Sequence, residues 1–486
     1  MRSTRAPIFA SDLAVLGFGA AVTLLAALEA ARGGAALSLG PLLGLLVLML
    51  LLAGYVTAPH VAVAFTIVYF AMLPMLKTLV TPQLGPTKDI MIGAAVLAAG
   101  IRLVQRKRAH ADGAPDQTVL VTTLLLMGLY FVDIGAGISG GNRFGLGWFH
   151  GVRLVWEPLL LLLFALSVHD PRRTLRWAIV GVIVASFVAG LYGLAQQALG
   201  SGWLVAHGYS YGVQVRTIGS RLRSFGTLDQ PFDYAAVLAF GMTGVLLWAK
   251  RGVLAATAGA VIAAGLAVSL VRAAGISSVA LLALLLARKR HTTTAVLLLG
   301  AVAAAGIAFI LAATRPTPGR VVQAGPSIYL TLNGRTSSWR EALGSPRNWA
   351  FGRGVGLYGT AAQRAERSAA ALPSKGGNAP TRAADSGYLA TLSDVGLVGL
   401  ALLLTLFGRI VTLFRRAIAR GEQLGWFGVG LVTVMLLDAT LRSSFTGFPT
   451  ADIAFLLIGL TVAATLPRGE PATGPAGRSR SRPRAF

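Results

Sequence analysis

The chain has 486 residues, of which 55% are hydrophobic and only 13% charged, and its mean hydropathy is +0.69. Those values exclude an ordinary soluble domain and point to an integral membrane protein. There is no cysteine, which excludes disulfides, thiolate nucleophiles and cysteine metal sites, and the net charge of +25 raises nucleic acid as a partner until the charges are placed along the chain.

Apolar runs of about 18 residues or more recur, the length a helix needs to cross a hydrocarbon layer about 30 Å thick. The alternation of barrel strands is absent. The basic amino terminus leads into a long apolar run without a small-residue cleavage site, which reads as a first span and not as a removed signal. In chain order the predicted spans are 12–29, 38–57, 61–76, 89–104, 118–138, 152–168, 176–198, 232–249, 253–271, 273–287, 293–313, 386–407, 424–441 and 450–466. The expected fold is all-α, a polytopic transmembrane helix bundle of about 12–14 spans. With a cytoplasmic amino terminus, "RLVQRKRAHAD", "HDPRRTLR", "AKRG", "ARKRH", "GRIVTLFRRAIARGE" and the tail all fall on the inner side. This positive-inside pattern accounts for most of the charge, so no nucleic acid is expected as a partner. The tail 467–486, rich in Arg, Pro, Gly and Ser, reads as a disordered cytoplasmic segment that meets anionic membrane lipids.

Most connections are short, but two, at 199–231 and 314–385, are long and fall on the extracytoplasmic side by the same topology. The first ends in "VRTIGSRLRSFGTLDQPFDYAAVLAF", which places Arg216, Arg221, Arg223, Asp229 and Asp233 just before a span. The second contains "NGRTSSWREAL", where Ser338 followed by Glu341 is a capping-box pattern that predicts a short helix from about Trp339. Arg335 and Arg340 fall at or near its first turns, and 361–371 predicts a second short helix. The loop is expected to form a small helical cap over the bundle.

Arginines on the outer side do not serve the positive-inside rule. Arg223, Arg272, Arg335 and Arg442 all lie near predicted outer span ends. Arg272 sits between two short spans, where a charge near the apolar layer costs a few kcal/mol unless paired or hydrated. Its plain alternative is a snorkelling side chain; for Arg221 and Arg223 it is anchoring to lipid headgroups. Guanidinium groups form bidentate, charge-assisted bonds to phosphate, so an outer cluster of them suits a phosphorylated lipid. The glycines of "FGRGVGLYG" follow no strand and lack a Walker ending, so they read as a tight turn or close backbone packing. Asp385, before the span "SGYLATLSDVGLVGLALLL", is placed to accept a proton from a sugar hydroxyl, or to cap the helix. The second loop has no histidine, and His150 and His207 are isolated, so no metal or other cofactor is expected.

Four segments in this order resemble the superfamily of O-antigen ligases and Wzy-type polymerases of bacterial surface polysaccharides. They are "RLRSFGTLDQPFDYAAVLA", "SLVRAAGISSVALL", "NGRTSSWREAL…NWAFGRGVGLYG" and "ADSGYLATLSDVGLVGLALL", within a membrane domain at 175–466 that follows amino-terminal helices at 1–174. The resemblance implies a metal-independent, inverting glycosyltransferase with a GT-C-like fold in the bacterial inner membrane, both termini cytoplasmic. It implies an undecaprenyl-pyrophosphate-linked glycan donor, a glycan or lipid acceptor, and a flippase and chain-length regulator as companions. Arg221 or Arg223 and Arg335 would bind the pyrophosphate, with Arg272 as a third, and Arg340 is counted with them among the substrate-binding residues. The ligase branch has a histidine where this chain has Asp385, which favours a polymerase with Asp385 as the activating group. A second departure is Phe232, where the family often has asparagine. A lipid-glycan flippase is the rival from another class; it calls for midplane charges or internal repeats, and the sequence has its notable charges on one face.

Overall fold

The computed structural model describes residues 40–109, 116–132, 146–218, 221–248, 252–288, 339, 343, 349–356 and 386–466. Among them the chain is helical apart from one short hairpin and connecting turns. The helices are α1 (Gly40–Thr57), α2 (Pro59–Leu79), α3 (Thr87–Ala109), α4 (Gln117–Val132), α5 (Leu146–Ser167), α6 (Pro171–Ala206), α7 (Pro231–Leu247), α8 (Val253–Ser269), α9 (Arg272–Ala287), α10 (Gly387–Ala419), α11 (Gln423–Leu441) and α12 (Thr450–Thr465). Each coincides with one predicted span, and the two remaining spans, 12–29 and 293–313, lie outside the described residues. By length and composition α2, α6, α10 and α11 are able to cross a membrane. Among the shorter apolar helices, α8 and α9, at 17 and 16 residues, extend about 24–26 Å at 1.5 Å per residue.

Local chemistry sets the helix starts. Proline at the first position opens α2, α6 and α7, where its missing N–H costs nothing. Asp170 caps α6 by accepting from the Arg173 N–H at 3.3 Å, and Asp116 caps α4 by accepting from the Val119 N–H at 3.1 Å. The core gathers around α12, which is buried at every residue but Ala463 and packs against α5, α6, α10 and α11. Small residues permit the closest crossings: a Cβ on Gly459 would stand 2.7 Å from the Ala165 side chain.

Contacts between distant residues show which helix ends meet. At one end the Met75 N–H donates to the Thr227 carbonyl, the Ser224 N–H to Val268, and the Ser386 hydroxyl to Ala439. The carboxy ends of α2, α6, α8 and α11 and the amino ends of α7, α9, α10 and α12 therefore share that end, called here the hairpin end. At the opposite end, arginines from the basic connections cap terminal carbonyls: Arg172 to Ala464, Arg420 to Thr465 and Arg288 to Leu247.

One break shapes the hairpin end. Gly396 interrupts α10 at φ 68° and ψ −166°, a region open almost only to glycine. Residues 349–356 dock there: the Leu397 N–H donates to the Trp349 carbonyl, the Gly354 N–H to Asp394 and the Arg353 N–H to Ser393. A Cβ on Gly352 would stand 2.3 Å from the Asp394 carbonyl oxygen, so the glycine-rich run serves close backbone packing and turns with positive φ.

Candidate functional site

The first long connection is shorter than the sequence suggests. The helix of span 176–198 bends at Gly200, where φ is 78°, and continues to Ala206, leaving 207–230 as the connection. Within it, β1 (Arg216–Ile218) pairs antiparallel with β2 (Arg221–Arg223). This hairpin was not expected, yet its signal is present: two three-residue runs with alternating faces, separated by Gly219 and Ser220. Helical periodicity in the flanking spans, and the all-α reading built on it, hid so short an element.

The hairpin is anchored from below. Leu222 is buried in a small apolar cluster with Leu204, Tyr209, Val215 and Phe225. Burial pushes the Tyr209 hydroxyl pKa above its ordinary value, with the neighbouring Tyr192 adding to the shift, so it stays neutral. Gln196 accepts from the Phe225 and Gly226 N–H groups at 3.0 and 2.9 Å and donates to the Gly226 carbonyl. Gln197 donates to the Leu222 carbonyl and to the Ser224 hydroxyl, which in turn donates to Gly193 at 2.6 Å. On the other flank Thr227 donates to the Ala71 carbonyl, and Asp229 receives Lys77 at 3.4 Å and Gln214 at 3.2 Å. These bonds fix the strand whose side chains alternate about Leu222.

Because strand side chains alternate, Arg221 and Arg223 share the face opposite Leu222. Directly across the hairpin, Arg216 opposes Arg223, and opposed residues share a face. Three guanidinium side chains therefore occupy one face: Arg221 exposed, Arg216 and Arg223 half-buried. Like charges in directly opposed positions destabilise a hairpin, whereas an anion between them reverses the sign. Arg223 lies over the Phe232 ring, 4.8 Å from its centroid, so the aromatic residue that departs from the family pattern supports this guanidinium by a cation–π contact. The Ser224–Val268 bond ties β2 to the α8–α9 connection, where Leu270 takes a left-handed φ of 51° and Arg272 opens α9, half-buried. A cation at a helix amino end adds to the positive end of the dipole, and this too favours an anion at that place.

Of the sequence-predicted residues, Arg221, Arg223 and Arg272 are therefore brought to adjoining segments, and Arg216 joins them unforeseen as a site residue. Arg335, Arg340 and Asp385 lie outside the described residues, as does 361–371. Trp339 and Leu343 are helical. The N-cap position of α10 falls on Ser386, one residue after Asp385. Arg442 is held inside the protein: it donates to Asp438 and, at 2.6 Å, to Asp233, while Thr450 also donates to Asp233 at 2.8 Å and Ser444 to Asp438 at 2.5 Å. Burial opposes its charge, but the two carboxylates push its pKa above the ordinary arginine value. It is a staple between α7, α11 and α12 and is already committed to protein carboxylates. Sequence reasoning missed this network, and a second one formed by Lys88, Asp89, Arg153 and Glu157, because in each the local pairs are joined by a partner far away in the chain. Among the described residues no three His, Asp or Glu side chains cluster at metal-ligand spacing.

No protein-family model matches the chain, and comparison with curated proteins finds no match. The likeness to O-antigen ligases and polymerases rests on the four sequence segments alone.

Proposed function

We propose that this protein is a membrane glycosyltransferase, GT-C-like with 12–14 spans, that joins lipid-pyrophosphate-linked oligosaccharides on the extracytoplasmic side of a bacterial inner membrane. The observation that carries the reading is the hairpin face of Arg216, Arg221 and Arg223, anchored from beneath and tied to the segment that bears Arg272. Fixed, permanently charged guanidinium groups suit a pyrophosphate leaving group, whose charge grows as its bond to the sugar breaks. The resemblance assigns Arg335 and Arg340, in the 314–385 segment, to the same pyrophosphate. In the reaction the acceptor hydroxyl oxygen bonds to the anomeric carbon as the bond from that carbon to the phosphate oxygen breaks. The hydroxyl proton passes to Asp385, and a single displacement inverts the anomeric centre. No cofactor takes part.

An aspartate where ligases carry a histidine favours polymerisation of glycan onto glycan, with a flippase and a chain-length regulator as companions. The test is polymer length in cells carrying Arg335→Ala or Asp385→Asn at normal membrane abundance. Both variants are expected to lose long polymer. Full-length polymer from Arg335→Ala would remove the leaving-group role of that residue, and full-length polymer from Asp385→Asn would remove the base, since an amide of the same shape has no carboxylate to take the proton.

A further inference from the structure

Two helices carry long exposed faces of matching length. On α6 the face runs through Trp177, Val180, Val184, Val188, Leu191 and Leu199, all on one side of the helix. From Trp177 to Leu199 it rises about 33 Å at 1.5 Å per residue, and a hydrocarbon layer is about 30 Å thick. On α10 the exposed face starts at Leu397, passes Leu404 and reaches Arg416 about 28 Å away. Helix α6 packs on α2, α7 and α8, and α10 on α4 and α11, so the two faces lie on different flanks of the bundle. Toward the hairpin each ends at a glycine with positive φ, Gly200 at 78° and Gly396 at 68°. At the other end each meets an exposed arginine, Arg176 and Arg416.

At those breaks the exposed side chains turn aromatic. Trp203, Tyr211, Trp349 and Phe351 are all exposed, and the segment 201–213 contains no Asp, Glu, Lys or Arg. A connection of that length in open water ordinarily carries charge, whereas Trp and Tyr, with an apolar body and a polar edge, concentrate where hydrocarbon meets headgroups. The segment is two-sided: Leu204 and Tyr209 enter the cluster beneath Leu222, while Trp203, Val205 and Val213 face out. It is fastened to the strand that follows, since Arg216 donates to the Val213 carbonyl at 3.0 Å and Tyr211 pairs with Val215. On the other flank the Trp349 carbonyl accepts from Leu397, the residue just after the α10 break.

We propose that 201–213 and 349–351 form a collar that beds in the headgroup layer of the bilayer at the hairpin end. The collar holds Arg216, Arg221 and Arg223 at the depth of the lipid phosphates, so this face meets an anion carried by a lipid before one dissolved in water. A second protein copy would cover one flank, whereas the exposed faces and their aromatic ends lie on two, as a surrounding lipid layer requires. The collar needs the chain to span a membrane, and it stands whatever reaction the arginines serve.

With no cysteine in the chain, each single-cysteine variant takes a spin label at one place. Full-length Trp203→Cys, Tyr211→Cys, Trp349→Cys and Val188→Cys would be labelled, placed in lipid nanodiscs and read by power saturation against oxygen and a water-soluble nickel chelate. Val188, midway along the α6 face, is expected deep in hydrocarbon. The three collar labels are expected about 5–10 Å into the boundary between headgroups and acyl chains. Collar labels as open to nickel as a label in water, with Val188 deep, would overturn the collar and leave the membrane reading intact. Val188 open to nickel would overturn both. Collar labels closed to nickel and oxygen alike would mean a protein partner at that surface and would also overturn the collar. Where an aromatic replacement does not fold, Val205→Cys and Val213→Cys, smaller changes at exposed positions, decide in the same way.

Discussion

Arg216 and Arg223 stand opposite one another across the hairpin, which is costly for two cations unless something negative lies between them. That gives a test with two readouts of opposite sign. Arg216→Ala is expected to stabilise the ligand-free hairpin slightly, by about 0.2–1 kcal/mol, and to weaken binding of inorganic pyrophosphate, measured by calorimetry on the full chain. Arg223→Ala is expected to weaken that binding as well, and it also leaves the face of Phe232 without its cation. A destabilised protein with unchanged pyrophosphate affinity would mark these arginines as structural. At this scale the sequence was informative about residue type and poor about partnership. Arg221, Arg223 and Arg272 were legible as cations at span ends away from the basic connections, whereas the inclusion of Arg216 depended on a strand register and the commitment of Arg442 on two aspartates 209 and 4 residues away.

Ion pairs at helix ends join the elements in addition to the apolar packing of their middles. The staple formed by Arg442 with Asp233 and Asp438 joins three helices, and removing one partner of a buried ion network leaves uncompensated charge. Arg442→Ala is expected to cost about 3–5 kcal/mol, seen as a lower melting temperature in detergent. At the opposite end Asp116 caps α4 and receives a bidentate pair from Arg409 of α10, at 2.6 and 3.2 Å. Burial alone would raise the Asp116 pKa, but the Arg409 bonds and the Val119 N–H outweigh it and hold the carboxyl below its ordinary value. A lowered folded-state pKa contributes stability above the ordinary carboxylate value of about 4, and that stability is lost as pH falls through the folded value. Thermal unfolding followed from pH 7 downward is therefore expected to weaken below about pH 4, and Asp116→Asn to show a lower stability at pH 7 with a flatter acid limb. Twelve of the helices were legible from hydropathy because each is a long apolar run; the hairpin, the bend at Gly200 and the break at Gly396 were not, since each depends on what packs against a few residues.

For the whole molecule, alternating helix direction collects two kinds of arginine at two ends. Arg172, Arg288 and Arg420 at one end cap carbonyls and follow the basic connections read from the sequence. At the other end Arg216, Arg221, Arg223 and Arg272 gather on a hairpin and a helix start that the packing of α2, α6, α7 and α8 brings together. The charge pattern along the chain separated these two groups, but their three-dimensional company came only from tertiary contacts. The most direct measurement uses the purified full-length protein in lipid nanodiscs with a lipid-pyrophosphate-linked oligosaccharide, followed by mass spectrometry of the products. New glycosidic bonds with release of the lipid pyrophosphate are expected from the unaltered chain, with at least a hundredfold loss in Arg223→Ala, on the order of removing one oxyanion donor from an enzyme. Intact donor recovered after prolonged incubation, from protein shown to bind it, would contradict the glycosyltransferase assignment.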